Sequence, residues 1–358
     1  MFVFKELVRP DGGPGRTIGF TDVDIRPRSY AELASAQLHK SVTIPLDMYN
    51  GRIVDTDVEG IDTSKYAHFT TVLESPFTSR AIGLVRGGWL PSSLAANKAG
   101  SVVLVDRNVV TEIVSRFENG VKVGAEPDFL DVFADDPVRI NPLLYAMEGN
   151  ARAIPDADLV RAQLDEVVAK LQKALPKAVL MVGSASLTGV LGLIEDSRAS
   201  TGRKEQFLLQ IAPSLTPPTA RRNVDGRWTE ILRAADSCGV PRNSLVVLAA
   251  LSSVAVPNGM SPAKRLLKFR NGYNSQDAYN ALADLRSLEV LIHLFGLFPD
   301  EPIQLCTADR SLALFWCGIQ AADFERDGAH VTFSMTPIPD LLPDELADRW
   351  QSDLERVH

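Results

Sequence analysis

Two short apolar runs constrain this chain most. VVLV at 102–105 and PIQLCT at 302–307 carry no charge, and each leads through an aspartate, Asp106 or Asp309, into a segment with helical character. Uncharged, β-branched runs of this length, alternating with helices, read as strands of an α/β sheet buried on both faces. A carboxylate at the end of such a strand has two readings. It caps the next helix, or it faces the crevice that forms outside the carboxyl ends of the strands. For Asp106 the two are evenly matched, because Asn108 could equally cap the helix through NVVTEIVSRF.

The chain has 358 residues, 45% hydrophobic and 23% charged, enough for one large or two medium globular domains. A formal charge of −8 argues against a protein that coats nucleic acid by global electrostatics, so a polyanion would have to be handled locally. One segment offers this: Arg198 to Arg270 holds twelve Lys and Arg against four Asp and Glu. It reads either as solvated helix faces or as a surface that tracks phosphates. Cys238, Cys306 and Cys317 have no paired spacing, which fits a reducing cytoplasm. The five histidines are scattered, which weakens a zinc hydrolase and leaves the chemistry to oxygen ligands.

The start, MFVFKELVRPDGG, is charged at Lys5, Glu6 and Arg9 and is not expected to be a signal peptide. LVVLAALSSVAV at 245–256 falls short of the roughly 20 residues that span a bilayer, so no membrane partner is expected.

Residues 1–100 are rich in turn signals, with short pieces such as VTIPL, HFTTVLE and RAIGLV that suggest a small β-rich or mixed region. GGPGRTIG lacks the GK[ST] of a phosphate loop and reads as an ordinary loop. From 101 an α/β texture begins, with helices expected after Asp106 and from Asn141-Pro142 to Gly149. A mostly helical insertion is expected at about 156–273, interrupted by SLTPPTARR. AVLMV at 178–182 fits either a buried strand or a helix start. The α/β rhythm then returns, with a long helix at about 276–297, the strand PIQLCT, a short helix SLALFWCG, a strand HVTFSM and a charged terminal helix.

Four carboxylates stand where structure alone does not require them. Asp106 and Asp309 end strands. Glu148 borders the apolar face of its helix, beside Met147. Asp284 lies with Leu288, Leu291 and Phe295 at i, i+4, i+7 and i+11, so a carboxylate occupies the stripe that points into the core. Asp277 is on the same stripe, but with Asn274 it also forms a helix-start pair. Four acids meeting in one crevice would raise one another's pKa values and oppose folding unless a divalent cation joined them. All-oxygen ligation suits Mg2+ or Mn2+.

The order of these features resembles the PIN-like nuclease superfamily: strand-Asp-x-Asn (Asp106, Asn108), a helical Glu before Gly (Glu148), a helical Asp (Asp284) and strand-Thr-x-Asp (Thr307, Asp309). The resemblance covers about 101–150 and 275–338. It implies a three-layer α/β/α fold with a central, mainly parallel sheet in 101–358, beside an N-terminal region of unknown role. It further implies that Asp106, Glu148, Asp284 and Asp309 bind Mg2+ or Mn2+, with Asn108 and Thr307 as supporting polar residues; Asp277, by its place on the stripe of Asp284, is a lesser supporting candidate. The activity implied is hydrolysis of RNA or single-stranded nucleic acid, with a toxin or defence role by analogy.

Arg310 or Arg107 would contact the scissile phosphate, and Tyr273 or Trp228 would stack a base. Two rival readings stand beside this one. The fold could serve as a non-catalytic scaffold for nucleic acid or protein, with room for a homo-oligomer. An aspartyl-nucleophile phosphatase also opens on VVLVD, but it needs a second aspartate where this chain has Asn108.

Overall fold

A computed structural model describes residues 2–5, 13, 15–96, 98, 100–124, 126–135, 137–149, 154–256, 260–328 and 330–355. The fold is mixed α/β. Its centre is a six-stranded sheet in the order Val179–Leu180, Arg139–Asn141, Val102–Val105, Ile303–Thr307, Ile82–Val85, Gly88–Pro91. The first four strands run parallel, and the last two run antiparallel to their neighbours. Both apolar runs are buried along their whole length, as uncharged strands between covering layers must be.

The register between them positions the site. Ile303 faces Val102 and Cys306 faces Val105, so Asp106 and Thr307 leave the sheet at the same level. The Asp106 amide still donates to the Cys306 carbonyl at 3.2 Å. From Val102–Val105 the chain passes to Arg139–Asn141 on one side, and much later returns as Ile303–Thr307 on the other. The strand order therefore reverses between Val102–Val105 and Ile303–Thr307, which in open α/β sheets is where a ligand crevice opens.

The first hundred residues divide between two sheets. Phe2–Lys5, Thr17–Thr21, Asp24–Ile25, Val42–Thr56 and Tyr66–Ser75 form a five-stranded antiparallel sheet, in keeping with the β-rich texture. The hairpin of Ile82–Val85 and Gly88–Pro91 belongs instead to the central sheet, where Leu84 pairs with Leu305. Trp89 is buried, and the Trp316 indole donates to the Val85 and Gly88 carbonyls at 3.0 and 3.1 Å. A boundary at residue 100 thus cuts through the sheet. The DGGPG turn lies largely outside the described residues.

The helical stretch comprises Ala157–Ala174, Ser184–Leu215, Val224–Cys238, Leu245–Ala255 and Pro262–Leu267. Every residue of Leu245–Ala255 is buried, as expected of a helix apolar on all sides. AVLMV contributes the edge strand Val179–Leu180, parallel to Arg139–Asn141. The start of Leu143–Glu148 differs from the expected cap: Asn141 belongs to a strand and Pro142 holds the cap position, while Asn141 Oδ1 accepts from the Leu143 amide at 3.1 Å.

Helix Ser275–Leu297 begins with a capping box of Asn274 and Asp277 and packs against Ile303–Thr307. The strand Ala321–Asp327, too charged to read as one from sequence, forms an antiparallel ribbon with His330–Met335.

Candidate metal centre

Asp106 and Asp309 each cap the helix they precede. Asp106 Oδ1 accepts from the Val109 amide at 2.7 Å, and Asp309 Oδ1 accepts from the Ser311 and Leu312 amides at 2.7 and 3.0 Å. The cap role belongs to Asp106 and not to Asn108, which is exposed. Capping does not keep Asp106 out of the crevice, since its two oxygens have about four lone-pair sites and it still lines the cleft while accepting from Val109, Thr307 and Ala308. Thr307, fully buried, links the two acids: its hydroxyl donates to Asp106 and accepts from the Asp309 amide at 3.0 Å.

Asp106, Glu148 and Asp284 line one small cleft with Met147, Arg286 and Leu312; its volume is about 30 Å³, room for a single water. Asp309 does not line it, yet stands near enough for its charge to act on Asp106 and Asp284. Glu148 is fixed from two sides. The Tyr279 hydroxyl donates to the Glu148 carbonyl, and Arg107 donates to the Gly149 carbonyl at 2.9 Å with its guanidinium 4.5 Å from the Tyr145 ring centre.

The electrostatics follow from this crowding. Burial raises the carboxyl pKa of Asp106, Glu148 and Asp284, and neighbouring carboxylates raise each further. Asp284 is pushed up to about 7, first by desolvation, with Asp309, Glu148 and Asp106 adding to the rise. Cations oppose the shift. Lys268 Nζ lies 3.7 Å from Asp284 Oδ2, and the charges of Arg107 and Arg286 lower the Glu148 pKa.

The donor chemistry suits a hard divalent cation, being all carboxylate oxygen. The resting distances are looser than a formed site requires, since among the described residues no three His, Cys, Asp or Glu side chains are grouped closely enough to hold one ion.

Other sequence candidates lie elsewhere. Arg310 donates to the Leu33 and Ala34 carbonyls, both at 2.7 Å, and ties its helix to Tyr30–Ser35. With Asn108 it lines a different cavity, on the far side of the two caps. Trp228 is fully buried with its indole donating to Asp353 at 2.9 Å, so its ring is not presented to a base, while Tyr273 is half-buried and packs on Phe269 with centroids 5.2 Å apart.

The basic segment is partly neutralised by six acids, four of which come from outside it. Arg198, Lys204, Arg227, Arg242, Lys268 and Arg270 pair with Glu195, Glu289, Glu230, Asp236, Asp284 and Asp277. A charge count along the chain could not foresee those partners.

Asp277 is away from the cleft, held by Arg270 at 2.9 Å and by its capping box. Asp277→Ala is expected to cost roughly 1–2 kcal/mol of stability and to leave any metal-dependent activity intact. Thermal melts beside activity assays check this, and an activity loss matching that of Asp106→Asn would place Asp277 in the site after all.

The sequence reading missed Arg286 in the wall of the cleft, the pairing of Lys268 with Asp284, and the anchoring role of Arg107. The weak signal was position: Arg286 lies two residues from Asp284 on a helix otherwise buried around it. No model of a known protein family, no characterised protein and no solved structure matches the chain. Among the described residues, no helix is long and apolar enough to cross a membrane.

Proposed function

We propose that the chain is a divalent-metal-dependent nuclease with a PIN-like three-layer α/β/α arrangement, acting on RNA or other single-stranded nucleic acid in a reducing cytoplasm. One observation carries the reading. Asp106, Glu148 and Asp284, from elements far apart in the chain, line one cleft at the strand-order reversal, and the Asp284 carboxyl is pushed up to about 7 by burial and by the charges of Asp309, Glu148 and Asp106. Such a cluster opposes folding and persists most simply where a cation is bound during function.

Asp106, Glu148, Asp284 and Asp309 would hold the ion. When bound, Mg2+ or Mn2+ supplies orientation and acidification of a water and offsets charge on the leaving oxygen. The water oxygen bonds to phosphorus, the ester bond to the sugar oxygen breaks, and that oxygen gains a proton. No side-chain nucleophile is needed. Thr307 keeps Asp106 and Asp309 in register, and Arg107 with Tyr279 keeps Glu148 facing the cleft.

Purified protein incubated with labelled RNA and DNA should cleave one or both in Mn2+ and neither in EDTA. Asp106→Asn should lower the rate at least about 100-fold, as loss of a ligand exceeds the 10- to 100-fold cost of losing an outer partner. Cleavage that survives both the chelator and the substitution would defeat the proposal.

A second reading, a non-catalytic scaffold of the same fold, is favoured by the Lys268–Asp284 contact, which already places a cation on the acid expected to bind metal. It requires tight binding of nucleic acid or protein without turnover in any divalent metal.

A further inference from the structure

Arg286 is an unusual wall for an acidic cleft. It is 7% exposed, and its Nη2 has no hydrogen-bond acceptor among the described residues. Its hydrogen bonds are few: Nη1 donates to the Met147 carbonyl at 3.5 Å, the outer limit of such a bond, and the guanidinium also donates to the Tyr279 hydroxyl. The Tyr279 ring centre is 5.9 Å away, and the hydroxyl of that ring gives its own proton to the Glu148 carbonyl. Other cations in this part of the molecule are committed: Arg107 to the Gly149 carbonyl, Arg270 to Asp277, Lys204 to Glu289, Arg310 to two carbonyls.

A guanidinium offers five donors in a planar fork that matches the oxygens of a phosphate. Burying one with a donor unsatisfied is costly. The cost is offset if an anion from outside the chain completes it.

We propose that Arg286 binds a non-bridging oxygen of the substrate phosphodiester, an inference that rests on the nuclease reading of the same cleft. Arg286 lines the cleft together with Asp106, Glu148 and Asp284, so a phosphate oxygen that reaches its fork lies beside the acids proposed to hold the ion. Specificity follows: the ligand must be a charged phosphodiester, and the base is not read here.

The test measures binding by fluorescence anisotropy of a short fluorescein-labelled single-stranded RNA. Turnover is stopped by an Asp106→Asn background, and kcat and KM are measured separately on otherwise native protein in Mn2+. Arg286→Gln should weaken binding at least about tenfold, the loss of one charge-assisted hydrogen bond, and raise KM. Arg286→Lys, which keeps the charge and loses the fork, should recover part of the affinity. A methylphosphonate oligonucleotide, which lacks the backbone charge, should bind the arginine and glutamine forms alike.

A folded Arg286→Gln protein with unchanged affinity and KM overturns the inference. If that variant does not fold, Arg286→Lys decides, and affinity equal to the arginine form on both oligonucleotides overturns it. If the native protein never cleaves but binding still depends on Arg286, the nuclease reading fails while this inference stands.

Discussion

Asp284→Asn is expected to abolish cleavage while making the metal-free protein harder to unfold near pH 8. Burial and three neighbouring acids push the Asp284 carboxyl from 3.8 in the free residue to about 7 in the fold. A carboxylate shifted upward favours the folded state only while protonated. Its contribution is fully present below the unfolded pKa of 3.8 and is lost as pH rises through about 7.

Above that window the native chain carries a penalty of at most about 4 kcal/mol by linkage. The penalty is reduced by solvent, because the side chain is 30% exposed. Asparagine has the same shape and no charge, and Lys268, left without its partner, is 58% exposed and stays hydrated. The variant should therefore melt roughly 2–3 °C above wild type near pH 8, and the gap should close near pH 4. Saturating Mn2+ should reverse the order, stabilising the wild type by about 3 kcal/mol at a hundredfold excess over Kd and the variant far less. Melting curves at the two pH values, with and without Mn2+, check every part. Equal melting temperatures throughout would mean that Asp284 is neither strained nor a ligand.

A chain beginning at residue 101 is expected not to fold. Cutting there keeps all four carboxylates but removes the hairpin whose strand Ile82–Val85 pairs with Ile303–Thr307. It also removes the buried side chains of Ile82, Leu84, Trp89 and Leu90 and the carbonyls that accept from the Trp316 indole. Large apolar side chains contribute about 1.5–3 kcal/mol each on burial, so the loss is on the order of the 5–15 kcal/mol that holds a whole domain. The cut would also bare the edge of an apolar strand, a template for aggregation. Circular dichroism and size-exclusion chromatography of residues 101–358 against the full chain measure this. A monomeric fragment with native ellipticity would show that the hairpin is an accessory.

The helices expected after Asp106, through the stretch at about 156–273 and at about 276–297 correspond to helices in the structure because apolar spacing and caps are local properties. The strands VVLV and PIQLCT were legible for the same reason. Ala321–Asp327 was not, because its pairing with His330–Met335 satisfies the backbone without any apolar pattern. The acids at the two strand ends were legible as cap or ligand, and Asp106 lines the cleft while it caps its helix. Arg286 was invisible, since a single arginine on a helix looks solvated until the opposing layer buries it.

By itself, the sequence determined the local elements and the presence of four acids at strand ends and on helix faces, since these depend on neighbours a few residues away. Only the tertiary structure decided that a hairpin from the first hundred residues joins the central sheet, which arginines and lysines answer which acids, and that burial and neighbouring acids raise the carboxyl pKa values of Asp106, Glu148 and Asp284. The physical reason is that pairing energy, desolvation and Coulomb interaction depend on distance through space, and chain separation says little about that distance.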